Sequence, residues 1–147
     1  MQNDARLLFQ TFTEIGIINQ LARAELKQAL PEGMSNAQFE TLTHLNRVDG
    51  PHGPSQMATA FQVTKGAMTH TLGLLQKNGW VRVETHPTDG RGKTVEITKS
   101  GQAKYQEAQQ TLYALMGELL AFTSDMDLET LNLNLEKIRV FMDAARD

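Results

Sequence analysis

At Asn78-Gly79 the apolar residues of this chain change their period, and few folds accommodate what lies on the two sides. Before the break, Met68, Leu72 and Leu75 recur at steps of four and three, the stripe of an amphipathic helix. After it, Val81 and Val83, and later Val95 and Ile97, alternate with Arg82, Glu84 and Glu96 as strand residues do. The polar loop between these strands, Thr85 to Lys93, contains Asp89-Gly90, a pair that favours a turn. An isolated two-stranded hairpin is marginal in water, so this one has to lean on the helices before it.

Those helices come as a close pair. Pro54 and Ser55 open a short one containing Met57, Ala58 and Phe61. Gln62-Val63 leaves room only for a turn, and Thr64 is placed to cap the next helix, which stops at Asn78-Gly79. Two short helices joined by a tight turn make a helix-turn-helix. Upstream, Leu8, Phe12, Ile15, Ile18, Ala22 and Leu26 mark a long first helix that Pro31-Glu-Gly33 stops. Ser35 then caps a helix carrying Phe39, Leu42, Leu45 and Val48, which ends before the turn cluster Asp49 to Pro54.

Downstream, Tyr105, Ala108, Leu112, Leu115, Leu119 and Phe122 predict one long helix. Leu128, Leu131, Leu135, Ile138 and Met142 predict a last one, with Ser124 as its N-cap and Asp125, Asp127 and Glu129 complementing its dipole. Such coiled-coil-like stripes at both ends exceed what a small winged module can cover, and a second copy of the chain is the natural partner. The expectation is a mainly α chain with a small β-hairpin wing. Residues 35–100 form a winged helix-turn-helix, and 1–34 and 101–147 build a helical dimerisation lobe. The seam is expected to use Leu8, Phe12, Ile15, Leu112, Leu115, Leu119, Leu131, Leu135, Ile138 and Met142.

Charge is uneven along the chain. The total is −3, yet residues 51–100 carry six cations (Lys65, Lys77, Arg82, Arg91, Lys93, Lys99) against three acids, between acidic ends. A basic middle of this kind suits phosphates. The chain has no cysteine, which removes disulfides, zinc-thiolate sites and thiol catalysis. No apolar run approaches the roughly 18 residues of a membrane span, and no secretory signal is visible, so a cytoplasmic protein is expected. Neither a Gly-x-Ser-x-Gly elbow, nor a phosphate-binding glycine loop, nor a His-Glu-x-x-His pair occurs, so an enzyme is not expected. No cofactor is implied.

From Ser35 almost to the end, the chain resembles the MarR-type winged helix-turn-helix transcriptional regulators. The resemblance is carried by Ser55-Gln-Met-Ala58, by Val63 to Leu72, by Leu75 to Trp80, and above all by Asp89-Gly-Arg91 with Ile97-Thr-Lys-Ser-Gly101. It implies a homodimer that binds a pseudo-palindromic operator in double-stranded DNA, with a repressor released by a small-molecule effector. In that frame Thr64, Lys65, Gly66, Ala67, Thr69 and His70 lie near the start of the reading helix, where side chains meet base edges. Lys65 can reach guanine or phosphate, Ala67 can meet a thymine methyl, and Gly66 suits close backbone approach. Ser55 and Gln56 are implied on the DNA side as well.

The resemblance further implies that Arg91 enters a minor groove, oriented by Asp89, while Lys93 takes a phosphate. Leu74 stands where the family often has a basic residue, and Gly73 where it is commonly polar. Arg23 or His44 could hold the carboxylate of an effector. Glu40 and His44 have the i, i+4 spacing of metal ligands, but one pair is too few for a site, and no metal is assigned. Two alternatives remain at this point: a dimeric winged-helix scaffold that binds proteins and no DNA, and a metal-responsive regulator.

Overall fold

The computed structural model describes residues 2–49, 52–85 and 92–145. Its elements are α1 (Gln2–Ala29), α2 (Asn36–Arg47), α3 (Pro54–Ala60), α4 (Lys65–Lys77), β1 (Val81–Thr85), β2 (Lys93–Ile97), α5 (Lys99–Leu115), α6 (Gly117–Phe122) and α7 (Leu128–Ala144). They fall into two units, residues 1–112 and 113–147. No helix is long and apolar enough to cross a membrane among the described residues.

The first unit holds a winged helix-turn-helix, and local chemistry sets its boundaries. Ser35 caps α2 reciprocally: its hydroxyl accepts from the Gln38 N–H at 3.2 Å, and Gln38 Oε1 accepts from the Ser35 N–H at 2.8 Å. The Thr64 hydroxyl accepts from the Ala67 N–H at 3.1 Å and starts α4. Gly79 ends it with a φ of +73°, a left-handed conformation that costs glycine nothing. In the turn between α3 and α4, Gln62 takes a φ of +54°, which is uncommon for a residue with a Cβ. Its backbone and side-chain N–H groups both donate to the Thr59 carbonyl, at 3.1 and 2.8 Å, and hold it there.

β1 and β2 pair antiparallel, with Val81 opposite Ile97 and Val83 opposite Val95. The hairpin leans on the helices as its size demands. Val81 and Val95 enter one core with Leu42 and Leu45 of α2, Met57 of α3, Met68, Leu72 and Leu75 of α4, and Tyr105 and Ala108 of α5. The Phe39 and Tyr105 rings stack at 5.6 Å between centroids.

Thr98 ties four of these elements together. Its N–H donates to the Trp80 carbonyl at 3.0 Å, and its hydroxyl donates to the Gly79 carbonyl at 2.6 Å. The same hydroxyl accepts from the Gly101 N–H at 3.0 Å, so it also caps α5. A Cβ on Gly101 would lie 1.9 Å from the Trp80 carbonyl oxygen, so only glycine lets α5 start this close to β1. That is the physical content of the Thr98-Lys-Ser-Gly101 run.

On the other side of the core, His44 of α2 lies 5.5 Å from the His52 ring and 5.2 Å from Phe61 at the end of α3. The His52 carbonyl in turn accepts from the Val95 N–H at 2.9 Å, linking the segment before α3 to β2. Burial pushes the His44 imidazole below its ordinary value of 6.5, and the charges of Arg47 and His52 push it the same way.

The second unit contains α6 and α7. The apolar period predicted one helix through residue 122, but the backbone leaves α-helical geometry at Met116, where ψ is 3°, just before Gly117. Glycine is a poor helix former, and spacing alone cannot register that interruption. The predicted cap of the last helix is corrected too. Asp127, not Ser124, caps α7: its carboxylate accepts from the Thr130 N–H at 2.9 Å and the Thr130 hydroxyl at 2.7 Å. Those bonds hold its carboxyl below the usual carboxylate range. On α7, Arg139 bridges Glu136 and Asp143 at 3.1 and 3.2 Å.

Two outcomes follow. Gly101→Ala forces a backbone collision that no rotamer change relieves, and urea unfolding should show a loss of about 3 kcal/mol; unchanged stability would refute the close approach. Because folding lowers the His44 pKa, the unfolded chain takes up that proton first, and the contribution is lost as pH falls through the ordinary imidazole range. Between about pH 7.5 and about pH 5.5 the melting temperature should therefore fall further for the wild type than for His44→Gln. Parallel pH profiles would contradict this.

Candidate nucleic-acid interface

Burial along α4 assigns its faces. Met68, Leu72 and Leu75 point into the core, and the helical repeat puts Gly66, His70, Gly73, Leu74 and Lys77 on the opposite side, with Ala67 and Thr69 flanking. All seven are exposed. A Cβ built on Gly73 meets nothing within 4 Å, and one on Gly66 meets only the Thr64 hydroxyl at 3.9 Å. Packing among the described residues therefore requires neither glycine. Each lowers helix stability relative to alanine and leaves bare backbone on the outward face.

Of the predicted reading residues, Gly66, Ala67, Thr69 and His70 are exposed on or beside the outward face, and Thr64 and Lys65 are exposed at the start of α4, but not all are equally free. Thr64 spends its hydroxyl on the α4 cap. Gln56 turns its Oε1 back to the Gly53 N–H at 3.2 Å, which supports the start of α3. Ser55 is exposed, and its carbonyl accepts from the Thr59 hydroxyl at 3.2 Å. Lys65, Thr69 and His70 are exposed, as is Lys93 at the start of β2. Asp89 and Arg91 lie outside the described residues.

The positive charge of the middle segment is unevenly available. Arg82 is clamped between Glu84 at 2.9 Å and Glu96 at 2.8 Å, and both contacts raise its pKa. Lys65, Lys77, Lys93 and Lys99 pair with no carboxylate among the described residues. Lys77 was not singled out from the sequence. Its seven-residue spacing from His70, two helical turns, was the signal that it shares the outward face.

The two effector candidates are both engaged. Arg23 of α1 pairs with Glu40 of α2 at 3.0 Å, and its carbonyl accepts from Asn36 Nδ2 at 3.0 Å. His44 sits one turn beyond Glu40 on α2, packed on His52 and Phe61. No group of three or more His, Asp or Glu residues placed to hold a metal ion occurs among the described residues.

The apolar stripes predicted for dimerisation are largely uncovered. Leu8, Phe12, Leu115, Leu119, Leu131 and Met142 are exposed, and Ile15, Leu112, Leu135 and Ile138 are half-buried. Phe9, Phe122 and Phe141 are more open still, each with over 70% of its surface accessible. Phe122 closes the apolar stripe predicted for the long helix, whereas Phe9 and Phe141 were not named from the sequence, because they fall beside the three-and-four spacing rather than on it.

This geometry has close counterparts. A MarR family model matches residues 32–92. An HTH-type transcriptional regulator of Bacillus subtilis, YwoH, is 33% identical over 116 residues, spanning 76% of this chain and 83% of its own. The crystal structure of the transcriptional regulator BldR from Sulfolobus solfataricus superposes with a TM-score of 0.76 at 27% identity, covering 90% of this chain and 94% of that one. A mutant of MarR from E. coli, solved in complex with operator DNA, superposes with a TM-score of 0.64 at 26% identity, covering 89% and 94%. With the helix-turn-helix, the hairpin and its Thr98–Gly101 junction in place, the chain belongs to the MarR family of transcriptional regulators and is not an enzyme.

Proposed function

We propose that this protein is a homodimeric repressor that binds a pseudo-palindromic operator, with α4 in the major groove and the hairpin reaching the minor groove. The observation that carries the reading is the outward face of α4: exposed, stripped at Gly66 and Gly73, and flanked by lysines that pair with no carboxylate among the described residues. Glycines that weaken a helix without serving its packing fit a surface that another backbone has to approach. Lys65, Lys77, Lys93 and Lys99 supply phosphate contacts, while Thr69, His70 and Ala67 meet base edges. Arg91, oriented by Asp89, enters the minor groove. The likeness to a regulator solved with operator DNA supports this use of the fold.

The uncovered apolar stripes of residues 1–34 and 101–147 support a second copy as their partner. In a dimer reading DNA from one side, the two α4 helices enter major grooves about one turn, ~34–36 Å, apart, which is why the operator is pseudo-palindromic. Occupying an operator suffices to block transcription, and repression asks nothing further of the surface. A small-molecule effector releases DNA only by preferring an arrangement with wrongly spaced α4 helices. An anionic effector held by Arg23 has to displace Glu40, which makes that ion pair a natural point of exchange.

Fluorescence anisotropy with the duplex upstream of the protein's own gene, against a scrambled duplex, tests the reading across a salt series. Binding should favour the upstream duplex and fall steeply as salt rises. Arg91→Ala should weaken binding to both half-sites and flatten the salt slope. Weak binding that ignores sequence, salt and Arg91 would instead identify a protein-binding scaffold.

A further inference from the structure

We infer that α4 selects its operator mainly through the 5-methyl groups of thymine, read by Leu74 with Ala67. The inference deepens the reading of α4 as a major-groove helix and rests on it. Leu74 projects from the outward face with 39% of its surface in solvent, although Leu72 and Leu75 beside it are fully committed to the core. Ala67 lies seven residues earlier, so the two side chains are about 20° apart around the helix and form one apolar strip along it. His70 and Thr71 are the strip's neighbours on the helix surface, and Gly66 and Gly73, about 100° round the helix from it, leave the adjoining outward face without side chains.

The polar chemistry of the same face narrows what it can read. Residues 66–74 contain no Arg, Lys, Asn, Gln, Asp or Glu. Bidentate donation to guanine and the paired bonds to adenine both need residues from that set, so the middle of α4 has neither. Lys65 and Lys77 stand at its two ends. What remains in the middle is Thr69, His70 and the apolar strip. Thymine alone presents a methyl group in the major groove, and burying it against an aliphatic side chain is the one strong discrimination this strip offers. The two glycines contribute by letting α4 seat deeply enough for a side chain as short as that of Ala67 to make contact.

The test starts from duplexes enriched by the full-length protein out of a random-sequence pool. An enriched duplex is then made twice, once with thymidine and once with deoxyuridine, which lacks only the methyl group. Wild type should bind the uracil form more weakly, by about fourfold for each contacted methyl. Leu74→Ala, a change on an exposed helix face that keeps helix propensity, should bind the thymine form more weakly and lose most of the difference between the two. Equal binding of both forms by wild type, with sequence preference over scrambled duplex retained, overturns the methyl readout and leaves the operator reading standing. An undiminished difference in Leu74→Ala overturns the role of Leu74. A pool that yields no enriched duplex overturns the operator reading, and this inference with it.

Discussion

One threonine holds the winged helix-turn-helix in register. Through its N–H and its hydroxyl, Thr98 joins the end of α4, the first residues of the hairpin and the first turn of α5. A two-stranded hairpin supplies too little burial to fix its own orientation. Here Val81 and Val95 anchor it in the core, and the Thr98 junction settles where it leaves the helices. The missing side chain at Gly101 is part of the same device, since the Trp80 carbonyl occupies the space a Cβ would take. Hydrogen bonds of this kind each contribute about 1 kcal/mol, and together they tie the end of α4 to the hairpin and to the start of α5.

The outward face of α4 is organised on the opposite principle. Elsewhere in the unit, side chains are chosen to bury, cap or pair. At Gly66 and Gly73 the helix gives up stability where no packing among the described residues demands it. Departures from local consistency of this sort concentrate at functional surfaces. Gln62 belongs with them: it accepts a left-handed backbone so that α4 can leave α3 after four residues.

Much of this was legible in the sequence because it is written in short-range chemistry. Ser35 and Thr64 announce helix starts, Gly79 announces a stop, and the alternation of Val81, Val83, Val95 and Ile97 announces strands. What was not legible depended on geometry that spacing does not encode. The apolar repeat runs smoothly from Leu112 to Leu119, so it hides the interruption at Met116. Ser124 and Asp127 are both acceptable caps by composition, and only the turn between them decides for Asp127. Arg23 is a candidate from the sequence for holding an effector carboxylate, and its pairing with Glu40 depends on how α1 packs on α2. On α4, the sequence marked Gly66 and Leu74 as unusual separately. Their position on one face, with Gly73 and Ala67, needed the helix and its core to be in place.

If α4 gives up stability for an uncovered outward face that DNA approaches, Gly73→Ala puts both sides of that trade into one protein. Thermal melting and operator binding should be measured on the same sample. Gly73→Ala should gain about 0.5–1 kcal/mol of stability, because the added methyl meets open space in a helix interior, and should bind DNA more weakly. A variant that is more stable and binds DNA as well as the wild type would show that the bare backbone at Gly73 is not used and that no such trade exists.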